Sequence, residues 1–352
     1  MNVTGTDITR QQAEVSVGDV SQLGEVTLST IGEGPGRGCK VAGVRSANGF
    51  SFDVLLDRCL DIGWASAHGT TLGWRSPLGL GTRTAAEDWG WAEAFGGGLL
   101  TTCGLSSIGR ASTDRGTQYG LHGRVGLLPA RDVATGAVWE GDDYVLTVSG
   151  RVLETNAVGT TLELSRRVST VVGQGKLTVR DVVTNRGPTA APVMLRHHIT
   201  LGYPLVCAGD RVVVDAEPPV PRDPVSPKAL QRWDLIAPVG GDVQEEVYCA
   251  TVRAAQGWAR TELLDGTSGA SKFTVDWDAR TMPQLVVWKH QGQHVNALGI
   301  EPSTHDDHGR AAAHQGGSLE PLEPGTSRTF TTRISVGPDA TGPADHQEGS
   351  TR

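Results

Sequence analysis

No stretch of this chain approaches the ~18 consecutive apolar residues that a membrane-spanning helix needs. Nor does any block of Lys or Arg offer a footprint for nucleic acid or an anionic membrane. The 31 Lys+Arg are scattered and outnumbered by 39 Asp+Glu, a formal net charge of −8. A soluble protein with a small uncharged substrate fits that balance better than one with a polyanionic partner. Cysteine is sparse: Cys39, Cys59, Cys103, Cys207 and Cys249 are odd in number and far apart, with no CxxC or CxxH spacing. That argues against a zinc knuckle or a disulfide framework, and predicts reduced, buried, small apolar side chains. The sequence also lacks a Walker motif, a GxGxxG after a strand, and a GxSxG elbow, which removes the signatures of nucleotide hydrolysis, dinucleotide binding and serine hydrolysis. The first nineteen residues, MNVTGTDITRQQAEVSVGD, carry neither a basic start nor an apolar core. The expectation is therefore a cytoplasmic protein without a secretory leader.

Glycine (47) and proline (18) are abundant and spread through the whole chain, as expected of many short strands joined by tight turns. Period-two patterns dominate. In DDYVLTVSGRVLE (142–154), Tyr144, Leu146, Val148 and Val152 alternate with Asp143, Thr147, Ser149 and Arg151. The runs TTLELSRRVST and KLTVRDVVTN behave alike, and turns such as VGQGK and NRGPT separate them. Consecutive β-branched strands at this spacing predict an antiparallel sandwich or barrel. TRTAAEDWGWAEAF (82–95) is the one fair helix candidate. No clean linker interrupts 15–337, so a single domain is expected there, with a flexible segment over 1–14 and a disordered Pro/Gly-rich tail over 338–352.

Two segments carry the clearest chemistry. If 193–201 is a strand, Arg196, His198 and Thr200 share one face, while His197 lies on the other among Leu195, Ile199 and Leu201. His198 is thus the candidate for a wet cleft, and His197 for a hydrogen-bonded core position. In HVNALGIEPST, Glu301 shares its face with Ala297 and Gly299, a shallow floor leading to a carboxylate. Pro302 removes a backbone donor directly after it, so the strand is expected to end there and leave Glu301 at a rim. A plain surface glutamate is the alternative. An imidazole and a carboxylate on separate strands are the pair needed to give one proton and take another at neutral pH.

Weaker candidates surround them. His122 lies between glycines near its position in QYGLHGRVGLLPA, in a backbone able to approach a ligand closely, though a solvated turn histidine reads as well. FDVLLDRCLDIGWAS supplies Asp57, Arg58 and Asp61, and GWRSPLG supplies Arg75; arginine and aspartate beside tryptophan suit hydroxyl recognition. A structural pair is the other reading for Asp57–Arg58. The run KHQGQHVNALGIEPSTHDDHGR brings His290, His294, His305, Asp306 and His308 close in sequence without the spacing of any strong metal motif.

KLTVRDVVTNRGPTAAPVMLRHHITLGYPL resembles the part of aldose 1-epimerases (galactose mutarotases) that leads to their catalytic histidine. YGLHGRVGLLPA resembles their "HG" segment, and LGIEPST the strand bearing their catalytic glutamate. VLLDRCLDIGWAS, GWRSPLG and HHITLGYPL together are more similar still to the DUF4432 branch of that superfamily. The resemblance runs in order over roughly residues 25–335. It implies an all-β fold, the antiparallel β-supersandwich. It also implies a sugar mutarotase or epimerase with His198 as general acid and Glu301 as general base. His122 would contact the sugar, and Arg75 would bind a hydroxyl; Arg58, Asp61 and Arg196 complete the candidate substrate-binding set. His198 is expected to be charged at the start and Glu301 ionised. No metal or redox cofactor is required, and the partner is a small sugar; DRCLDIG, absent from ordinary galactose mutarotases, implies a sugar other than galactose. Two alternatives stay open: a lyase or isomerase acting on an oxidised sugar, with a metal on His198, Glu301 and another histidine, and a non-catalytic carbohydrate-binding protein. The oligomeric state is left open, a homodimer included.

Overall fold

The computed structural model describes residues 1–3, 6–80, 90–241 and 243–337. Two large antiparallel sheets face one another. One has eight strands, ordered Arg131–Glu140, Asp143–Thr155, Thr161–Val171, Lys176–Asn185, Ser327–Val336, Ser271–Asp278, Trp258–Leu264 and Arg211–Val214. The other has eleven, and its middle runs Glu246–Thr251, Gln284–His290, Ala297–Ser303, Met194–Gly202, Leu100–Leu105 and Asp61–Ala67. This is the antiparallel, galactose mutarotase-like β-supersandwich. The consecutive strands expected from alternation are present as Asp143–Thr155, Thr161–Val171 and Lys176–Asn185.

Leu195, Ile199, Leu201, Leu298 and Ile300 from the eleven-stranded sheet belong to one buried cluster with Val179, Val183, Phe330 and Ile334 from the other. Each such side chain contributes about 1.5–3 kcal/mol on burial. A polar chain also crosses this core. His197 contacts Asp181 Oδ2 (2.9 Å) and Thr332 Oγ1 (2.7 Å). Arg166 donates twice to Asp181, at 2.8 and 2.6 Å, and once to Asp61 at 3.0 Å.

Three central strands, Leu100–Leu105, Met194–Gly202 and Ala297–Ser303, are buried along their whole length. One face lies on the second sheet, so the polar residues of the other face are covered too. Buried polar side chains must find partners, and the site is built from these. The strand bearing Glu301 does not stop at Pro302. Pro302 pairs with Leu285 inside the sheet, and Glu301 is 1% exposed, so it sits on a floor and not at a rim. Towards Met194–Gly202 the paired positions pass from Arg196–Ser303 to Ile199–Ile300, and Pro302, which has no N–H to donate, lies in that gap.

Helix Arg10–Ser16 begins at a Thr9 capping box. Of the helix expected over 82–95, Gly90–Ala94 is observed; 82–89 lie outside the described residues, as does the tail 338–352. No helix among the described residues is long and apolar enough to cross a membrane.

Candidate active site

The pairing of three strands sets the geometry. Thr200 stands opposite Gly299 and Arg196 opposite Ser303, so His198 falls opposite Glu301. On the far side, Val286 is the partner of Glu301 and Trp288 that of Gly299. Val247 pairs in turn with Trp288. Because side chains alternate between faces, two rows run across the same face: Val286–Glu301–His198, and Val247–Trp288–Gly299–Thr200. Glycine at 299 leaves the Glu301 carboxyl its place: a Cβ there would lie 2.4 Å from Glu301 Oε1.

These rows floor a cavity of about 460 Å³. His198 Nε2 lies 3.3 Å from Glu301 Oε1, and its Nδ1 is 2.8 Å from Thr200 Oγ1. The His198–Glu301 approach is close without being an aligned hydrogen bond, and Oε1, though buried, has no hydrogen-bond partner. Glu301 Oε2 accepts from Arg196 Nη1 at 3.2 Å. Arg196 is held by Asp307 Oδ1 (2.5 Å), Ser303 Oγ (3.2 Å) and the Asp306 carbonyl (3.0 Å). Asp307 in turn accepts from Arg222 at 2.9 Å.

His122 enters from a loop with its backbone in the left-handed region, φ 57°. Its N–H bonds to Gly109 O and its carbonyl accepts from Gly104 N, fixing it at both ends. The next residue must be small: a Cβ on Gly123 would meet Ser107 O at 2.4 Å. His122 Nδ1 is buried without a partner. Its ring packs 4.5 Å from Trp91, which stacks on Phe95 at 4.6 Å. Trp288 stands 5.9 Å from the His198 ring, held by an indole N–H donated to Glu245 at 2.9 Å.

Burial dominates the electrostatics. It pushes Glu301 up to about 8, with Arg196 opposing and Asp307 reinforcing the rise. It drives His198 well below its usual value, helped by His122 and Arg196, and lowers His122 to about 3. Burial therefore disfavours both the expected imidazolium and the expected carboxylate. It favours uncharged rings and a protonated Glu301 carboxyl near neutral pH, one proton for the pair.

The structure brings His198, Glu301, His122 and Arg196 together. It does not bring Asp61, Arg58 or Arg75 to the cavity. Asp61 points between the sheets, taking the Thr102 N–H and hydroxyl as well as Arg166, so it belongs to the core. Arg58 is buried outside the lining of the cavity. Arg75 lies on the outer surface with its guanidinium 4.4 Å over the Trp64 ring. From the His-rich run Asp307 reaches the site beside Glu301, while His305 contacts Thr304 and Ser318, and His308 contacts Asp306. Among the described residues no group of three or more His, Cys, Asp or Glu side chains could hold a metal ion. Sequence reasoning missed Trp91, Phe95, Glu245, Trp288, Arg222 and Asp307. The aromatic and acidic types were visible, but nothing local assigned them to one cleft.

A family model described as "Domain of unknown function (DUF4432)" matches residues 36–336. No curated protein is similar in sequence. Among solved structures, a Klebsiella pneumoniae protein named a "putative aldose 1-epimerase" superposes with a TM-score of 0.81 at 21% identity, over 94% of this chain and 86% of that one. A galactose mutarotase-like protein from Clostridium acetobutylicum gives 0.62 at 12% identity, over 89% and 98%. A galactose 1-epimerase from Lactobacillus acidophilus gives 0.60 at 11%, again over 89% and 98%. At these identities the likeness shows the fold.

Proposed function

This chain belongs to the DUF4432 family, and we propose that it is a sugar mutarotase- or epimerase-like isomerase in which His198 and Glu301 exchange protons with a small sugar. The observation that carries this reading is the 3.3 Å approach of His198 Nε2 to a buried, otherwise unpartnered Glu301 oxygen on the floor of an aromatic-walled cavity. An unpartnered buried carboxyl oxygen has to be explained, and a sugar hydroxyl, able both to donate and to accept, is a fitting partner. The tryptophan and phenylalanine faces suit the C–H side of a ring.

The pair holds one proton, and one is enough. As the anomeric hydroxyl loses its proton to one member, the C1–O5 bond breaks and its electron pair takes the proton of the other. The aldehyde forms, the C1–C2 bond rotates, and closure on the other face reverses both transfers. The transfer leaves an imidazolium beside a carboxylate, so charge separates within the pair while the cleft gains no net charge. His122, uncharged at physiological pH, is placed in this scheme as a hydrogen-bonding contact for the sugar. Arg196 orients Glu301 and tempers its proton affinity. We assign the reaction to the cytoplasm.

Polarimetry or NMR on purified anomers of a panel of aldoses and ketoses tests the reading. Glu301→Gln and His198→Ala are each expected to lower the enzyme-dependent rate by about 10²–10⁴-fold. Unchanged rates in both folded variants would overturn it.

A further inference from the structure

The open hydrogen-bonding positions of the cavity lie at one end. Glu301 Oε1 and His122 Nδ1 are buried and unpartnered, and His198 Nε2 meets that same glutamate oxygen. Elsewhere in the lining the charged groups are committed to each other. Arg110 pairs with Asp223, and Arg222 binds Asp223, Glu245 and Asp307. Arg196 is taken by Glu301 and Asp307. Each guanidinium lining the cavity already has a carboxylate.

Beside Glu301, on the side away from His198, the floor turns apolar. Val247 and Val286 are buried in one cluster with Cys249, and Trp288 packs against it. A hydroxyl resting there would lose water and meet hydrocarbon. A carboxylate or phosphate would have to break an existing ion pair or stay unpaired.

We infer that the cavity selects an uncharged sugar with an apolar substituent, a deoxy position or a methyl-bearing ring carbon, seated on Val247, Val286 and Trp288. The inference rests on the sugar-isomerising reading above and names its substrate class.

The test uses the full chain and two series, glucose and galactose. Each contains the parent hexose, its 2-deoxy and 6-deoxy forms, its uronate and its 6-phosphate. Binding is read by quenching of tryptophan fluorescence and turnover by NMR of anomer exchange. At least one deoxy sugar is expected to bind about tenfold or more tightly than its parent, with the uronate and phosphate weaker than both. Val286→Thr, nearly equal in volume, is expected to move the preference towards the hydroxylated parent. Tightest binding by a uronate or phosphate, equal or better binding by both parents, or no binding by any deoxy sugar sinks the inference. If deoxy sugars bind preferentially but no anomer is interconverted, the isomerase reading fails and the substrate class stands. If anomers interconvert with a preference for hydroxyls, the reverse holds.

Discussion

A methyl group added at position 299 has one soft neighbour. Its carbon would lie 2.4 Å from Glu301 Oε1 and 3.0 Å from the Trp288 Cβ. Restoring an ordinary contact of about 3.4 Å to the oxygen requires the carboxyl to move by about 1 Å. The displaced atom ends a flexible side chain, and the Gly299 backbone does not need the left-handed region, so alanine is compatible with the fold. Stability is expected to change by less than about 1 kcal/mol, the gain from a less free unfolded chain offsetting the tight Trp288 contact. Activity should not survive as well. A misplacement of about 1 Å at a reacting group costs about 10²-fold, and kcat/KM is expected to fall by that factor in Gly299→Ala. Because the effect acts through one carboxyl, Gly299→Ala combined with Glu301→Gln should be no slower than Glu301→Gln alone. Anomer-exchange NMR supplies the rates, and urea denaturation the stabilities. Wild-type activity in a folded Gly299→Ala protein, or multiplicative losses in the double variant, would refute the reasoning.

Three more outcomes are expected. The active form holds one proton on the His198–Glu301 pair, so the enzyme-dependent rate should stay level through neutral pH and fall only above about 8, as Glu301 loses its proton; a decline already centred near 6.5 would contradict the burial argument. Asp181→Asn removes the doubly bonded partner of Arg166 and leaves the guanidinium to Asp61 alone between the sheets. It should cost about 3–5 kcal/mol in urea titrations, and a loss below about 1 kcal/mol would mean that the core chain is not an ion pair. Arg75→Ala, on the outer surface over Trp64, should leave turnover within about twofold, whereas a loss above tenfold would return Arg75 to the site.

Much of the site's face was legible. A strand alternates strictly, so the sequence 193–201 was sufficient to put Arg196, His198 and Thr200 on one side and His197 on the other, and HVNALGIEPST to align Glu301 with Gly299. His197 was legible as a core histidine because its strand neighbours on that face are aliphatic; its partners, Asp181 and Thr332, were not. Asp61 misled for the same reason. Alternation says which residues share a face, and it cannot say which face meets a cleft when both are buried. The decisive partner, Arg166, is 105 residues away.

The sequence by itself determined the strand content, the polar stripe on the central strands and the residue types able to pass a proton. Only the tertiary structure decided the register that sets His198 against Glu301, the walls built from Trp91 and Trp288, and the charge carried by the pair. Register depends on contacts between strands about a hundred residues apart, and proton affinity depends on how completely water is shut out. Neither is a property of any short stretch of chain.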